Sequence, residues 1–137
     1  MASIILPDAE ATVAFGREFV TTVGNGDIIA ITGDLGAGKT HFVKGMAAGL
    51  GGDIVVTSPT FTLVHEYPCD RKPLFHFDFY RLESAEEVRD IGFDDYVDGG
   101  GIIAIEWADK FPELLPDYTR WVHFRHRPDG TREVEVP

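Results

Sequence analysis

A chain of 137 residues, 44% hydrophobic and 26% charged, has the size of one domain with one core and is too balanced in composition for a disordered segment. Its formal net charge of −11, from 12 basic and 23 acidic residues, repels a phosphate backbone and an anionic bilayer, which argues against autonomous binding to tRNA, DNA or a membrane and favours a basic partner surface. The only cysteine, Cys69, can close no internal disulfide, and no apolar run approaches the roughly 18 residues of a membrane span, so a cytoplasmic protein is expected.

In chain order, Ser3 to Leu6 reads as a short strand, and Asp8 as the N-cap of a helix whose core-facing positions are Phe15, Phe19, Val20 and Val23. Gly24-Asn25-Gly26 is expected to stop it. Asp27 to Thr32 is a continuous apolar run, the form of a strand buried on both faces. A glycine-rich segment follows, then a helix with Val43, Met46, Ala47 and Leu50 on one face, ended by Gly51-Gly52. Phe61 to Tyr67 and Leu74 to Tyr80 read as a hairpin, Ser84-Ala85-Glu86-Glu87 as a capping box opening a short helix to about Ile91, and Gly101 to Ile105 as a second buried strand ending at Glu106-Trp107. Trp121 to His126 and Arg132 to Val136 form a C-terminal hairpin around Pro128-Asp129-Gly130. The pattern predicts one α/β domain over residues 1–137: a mixed, mainly parallel central sheet flanked by helices, with hairpins added.

The segment Gly33-Asp34-Leu35-Gly36-Ala37-Gly38-Lys39-Thr40 matches G-x-x-x-x-G-K-[ST] in full, between a buried strand and an amphipathic helix as that motif requires. Glycines let successive backbone N–H groups turn toward a phosphate, and the helix N-terminus adds a favourable dipole. Lys39 is expected to reach the β- and γ-phosphates, the Thr40 hydroxyl to ligate magnesium, and Asp34 to His41 to line the nucleotide. A glycine-rich turn that merely caps a helix has no need of Lys-Thr after its last glycine. The expected ligands are a nucleoside triphosphate and Mg2+.

Such a site also needs an acid at the end of a neighbouring strand. Glu106 ends the run G-I-I-A-I and is assigned to magnesium, directly or through water, against the reading of a solvated acid. Asp78 lies in L-F-H-F-D-F-Y-R, where alternation sets Phe75, Phe77 and Phe79 on one face and His76, Asp78 and Tyr80 on the other. It is placed near the γ-phosphate, although the same alternation would arise on any half-solvated hairpin strand. His76 reads more simply as a packed histidine, and Tyr80 and Arg81 as rim residues or clamps. Thr60, in Ser58-Pro59-Thr60, reads equally as a switch element and as a loop turn. Trp107 and Trp121 read as core or interface aromatics, with Trp107 set apart by its neighbour Glu106.

T-G-D-L-G-A-G-K-T, S-P-T-F, H-F-D-F-Y-R-L and I-E-W, in this order across the chain, resemble the TsaE (YjeE) family, bacterial P-loop ATPases that assist in making threonylcarbamoyladenosine on tRNA. The resemblance spans essentially the whole chain. It implies ATP and Mg2+ as cofactors, and association with TsaB- and TsaD-type proteins that carry the tRNA, so that contact with tRNA is indirect. It also implies that TsaD transfers the threonylcarbamoyl group to the adenosine beside the anticodon. By the same resemblance, Lys39 and Thr40 are phosphate and magnesium residues and Thr60 a switch-like threonine. Asp78 becomes the aspartate needed for turnover, Glu106 the magnesium-site acid, and Trp107 a tryptophan beside the site. Among rival readings, a GTP switch has Asp98-Gly99-Gly100-Gly101 as D-x-x-G but lacks N-K-x-D, and a small-molecule kinase lacks an insertion long enough for a lid. A nucleotide-gated binding module shares every motif named above.

Overall fold

The computed structural model describes residues 2–34, 38–52 and 63–137. Among them, seven strands form one sheet in the order β1 (Ala2–Leu6), β7 (Arg132–Val136), β6 (Arg120–His126), β2 (Ile28–Thr32), β5 (Ile102–Glu106), β4 (Leu74–Asp78) and β3 (Val64–Tyr67). The four central strands β6, β2, β5 and β4 pair in parallel. The outer pairings, β1 with β7, β6 with β7, and β3 with β4, are antiparallel. The centre of the sheet is thus parallel, as the sequence predicts, and the antiparallel pairings belong to the added outer strands: β3–β4 and β6–β7 as hairpins, and β1 joining β7 across the two ends of the chain.

β2 and β5 are buried at every position, which is why both read as unbroken apolar runs. Their side chains divide by the period of two. Ile29, Ile31 and Ala104 pack under α1 (Ala9–Phe19) and α2 (Lys39–Gly49), with Phe42, Val43 and Met46. Ile28, Ala30, Ile103 and Ile105 pack on the other face with Val88 of α3 (Ala85–Asp90) and Phe93 of α4 (Phe93–Asp98).

Helix signals hold where capping chemistry marks them. Asp8 accepts from the Ala11 N–H at 2.8 Å, and the Ser84 hydroxyl accepts from the Glu87 N–H at 3.3 Å. The first helix ends earlier than the glycines suggest: α1 stops at Phe19 and tightens into a 3-10 turn over Val20–Thr22. α4 has no counterpart in the sequence reading, since six residues give too little periodicity to reveal it. Gly92, at φ 83°, separates it from α3.

α1 and α2 meet through glycines. A Cβ at Gly45 would lie 2.0 Å from the Val13 carbonyl oxygen, and one at Gly16 would lie 2.2 Å from the Phe42 carbonyl oxygen. Neither helix has room to accept a methyl group without moving off the other. Gly45→Ala is therefore expected to lower unfolding stability by about 1–3 kcal/mol despite alanine's better helix propensity, as read by chemical denaturation. A neutral or stabilising result would show that the helices separate freely.

Candidate functional site

The parallel register brings the C-terminal ends of β2, β5 and β4 to one level: Ile31 stands beside Glu106, and Glu106 beside Asp78. In parallel α/β sheets, this edge is where ligands bind. Beyond β2 the chain turns at Gly33, φ 140°, where a Cβ would lie 2.5 Å from the Phe124 carbonyl oxygen. It re-enters at Gly38, φ 103°, the N-cap of α2. Among the described residues no side chain caps α2 at Gly38, and its first N–H groups stand at the positive end of the helix. Leu35, Gly36, Ala37 and Thr60 lie outside the described residues.

Lys39, in the first turn of α2, is 4% exposed. Its ammonium donates to the carbonyl oxygens of Gly33 and Asp34, and stands 4.0 Å from the centre of the Trp107 ring. Burial lowers its pKa, opposed by the carboxylates of Glu106, Asp78, Asp109 and Asp34. The Thr40 hydroxyl donates to the Glu106 carboxylate, 3.2 Å from Oε2 and 3.4 Å from Oε1. The same Oε2 lies 2.5 Å from His76 Nε2.

The structure thus brings together Lys39, Thr40, Asp78, Glu106 and Trp107. Asp78 is buried, and its Oδ1 accepts from the Tyr80 N–H at 2.8 Å, a local turn that ends β4. His41 is exposed in the first turn of α2, apart from the buried group. Tyr80 departs from its expected place beside His76 and Asp78. β4 ends at Asp78, the alternation ends with it, and the exposed Tyr80 ring packs 4.9 Å from Trp107. Arg81 is exposed beyond it. Trp107 itself has φ 59°, a left-handed conformation uncommon for a bulky residue, which turns its indole back over Lys39.

Sequence reasoning missed Tyr67 and His65, which extend the polar group behind His76, and Asp109, which adds negative potential at Lys39. The hairpin register brings them there, since His65 pairs opposite His76.

Magnesium is tested here by the donor set. Thr40 and Glu106 offer two adjoining hard oxygen donors. That matches magnesium shared with a phosphate ligand, which takes few protein donors and keeps several waters.

A strand, a glycine-bounded turn and a helix opening on Lys-Thr, met by an acid from the adjacent parallel strand, define the P-loop class of folds. The family model for "Threonylcarbamoyl adenosine biosynthesis protein TsaE" matches residues 6–134. The tRNA threonylcarbamoyladenosine biosynthesis protein TsaE of Bacillus subtilis is 41% identical over 126 residues, covering 92% of this chain and 74% of its relative. Its namesake from Treponema pallidum is 42% identical over 128 residues, covering 93% and 94%. The crystal structure of Bacillus subtilis YdiB superposes with a TM-score of 0.84 at 33% identity, over 98% of this chain and 83% of that one. The chain belongs to the TsaE family.

Because burial depresses the Lys39 pKa, charged Lys39 weakens the ligand-free fold. The penalty is complete below the folded pKa and is relieved as pH rises from there toward the ordinary 10.5. Lys39→Met is expected to fold with undiminished stability at neutral pH while losing nucleotide affinity by roughly 100-fold, the loss of a buried charge-assisted contact. Denaturation across pH and nucleotide titration check both parts; unchanged affinity would count against the phosphate assignment.

Proposed function

We propose that this protein is an ATP-hydrolysing subunit in the making of threonylcarbamoyladenosine on tRNA, acting through a TsaB–TsaD partner pair. The observation that carries the reading is the Thr40–Glu106 pair, held beside buried Lys39 at the N-terminus of α2. Lys39 would exchange its carbonyl partners for the β- and γ-phosphates of ATP. The α2 N–H groups would hold the β-phosphate, and Thr40 and Glu106 would hold Mg2+. Bound there, Mg2+ would neutralise charge on the phosphates as the terminal bond breaks. Asp78, level with Glu106 on the neighbouring strand, is assigned to positioning the attacking water. Family membership supports the pathway. The net charge of −11 suits a component that reaches tRNA only through its partners.

Hydrolysis is proposed to be slow for the chain alone and coupled to the pair, resetting the complex between rounds of modification. Steady-state ATP hydrolysis with and without the TsaB–TsaD pair tests this, and a strong rise on adding the pair is expected. No rise would favour a nucleotide-gated module that regulates its partners without turnover. Asp78→Asn and Glu106→Gln are expected to retain ATP binding and to lose hydrolysis by about 100-fold or more, as is typical for residues that position water or transition-state charge. Variants that lose hydrolysis yet support repeated modification cycles would overturn the reset.

A further inference from the structure

Behind Glu106 stands a row of polar side chains that the proposed chemistry leaves unused. His76 is fully buried on β4, between β3 and the wholly buried β5. Its Nε2 lies 2.5 Å from Glu106 Oε2, and its Nδ1 lies 3.3 Å from the hydroxyl of buried Tyr67, which in turn lies 3.1 Å from His65 Nδ1. With Glu106 ionised, His76 Nε2–H donates to its Oε2, and the Tyr67 hydroxyl links His76 Nδ1 to His65 Nδ1, donating to one and accepting from the other. The Thr40 hydroxyl donates to the same carboxylate oxygen. A carboxylate so placed has its Oε2 held from two directions and cannot rotate without leaving a buried donor unpaired.

We infer that His76, backed by Tyr67, is a positioning residue that sets the Glu106 carboxylate for the nucleotide's divalent cation. The inference rests on the reading of Glu106 as a magnesium-site acid. It goes further by explaining why a buried histidine and tyrosine stand behind the Glu106 carboxylate. A hydrophobic side chain would fill the same volume, so packing alone does not call for them. Groups behind an acid that holds a metal commonly change metal affinity by 10- to 100-fold when removed.

The test is Mn2+ titrated into the ADP-bound full chain and followed by electron paramagnetic resonance, beside ADP affinity measured in a chelator. His76→Leu is expected to weaken Mn2+ binding by about tenfold or more while leaving metal-free ADP affinity little changed. His76→Gln, whose side-chain N–H can replace Nε2–H, is expected to recover most of the loss. Tyr67→Phe keeps the ring, removes the second link, and is expected to weaken Mn2+ by a smaller factor. If His76→Leu does not fold, His76→Gln and Tyr67→Phe still decide. Mn2+ affinity equal to wild type in a folded His76→Leu or in Tyr67→Phe would overturn the inference, as would a loss that His76→Gln does not restore. Wild-type protein that binds ADP with no Mn2+ uptake would overturn the magnesium assignment of Glu106 itself, and this inference with it.

Discussion

Glu106 is 3% exposed, and a carboxylate taken that far from water must be surrounded by donors and compensating charge. Much of the site's structure follows from that requirement. The parallel register of β2, β5 and β4 sets the acid level with the start of α2, within reach of Thr40 and in the field of Lys39. His76 approaches from β4 because strand pairing puts it two residues back from Asp78, on the same face. Trp107, next in sequence, takes a left-handed turn and covers Lys39. On the proposed reading, an entering triphosphate would meet the Lys39 ammonium beside the carboxylates of Glu106 and Asp78, and a divalent cation entering with it would offset their repulsion.

The parts legible in the sequence were those whose physics is local. Buried strands announce themselves as apolar runs, caps as Asp8 and Ser84, and the phosphate turn by a residue order that turn chemistry does not demand. Gly33 to Thr40 is one continuous stretch, so its reading needed no knowledge of what packs against it. Glu106 was legible because a buried strand that ends in an acid points to its own terminus.

What stayed hidden depends on pairing between distant segments. The alternation of β4 sets His76 and Asp78 on one polar face, which on its own describes a partly solvated hairpin strand as well as it does a site. The same alternation describes a face sealed by the adjoining parts of the fold, and only the tertiary structure separates the two. His65 and Tyr67 join His76 through hairpin register, which a six-residue connection leaves undetermined. The end of β4 at Asp78 frees Tyr80 from the strand period and sends it to Trp107.

The glycine contact between α1 and α2 bears on where this fold can deform. With Gly16 and Gly45 each facing a carbonyl oxygen of the other helix, the two helices behave as one stiff plank laid across the sheet. Thr40 and Lys39 ride at its end. Any force a partner applies to the nucleotide site therefore finds little compliance on that side.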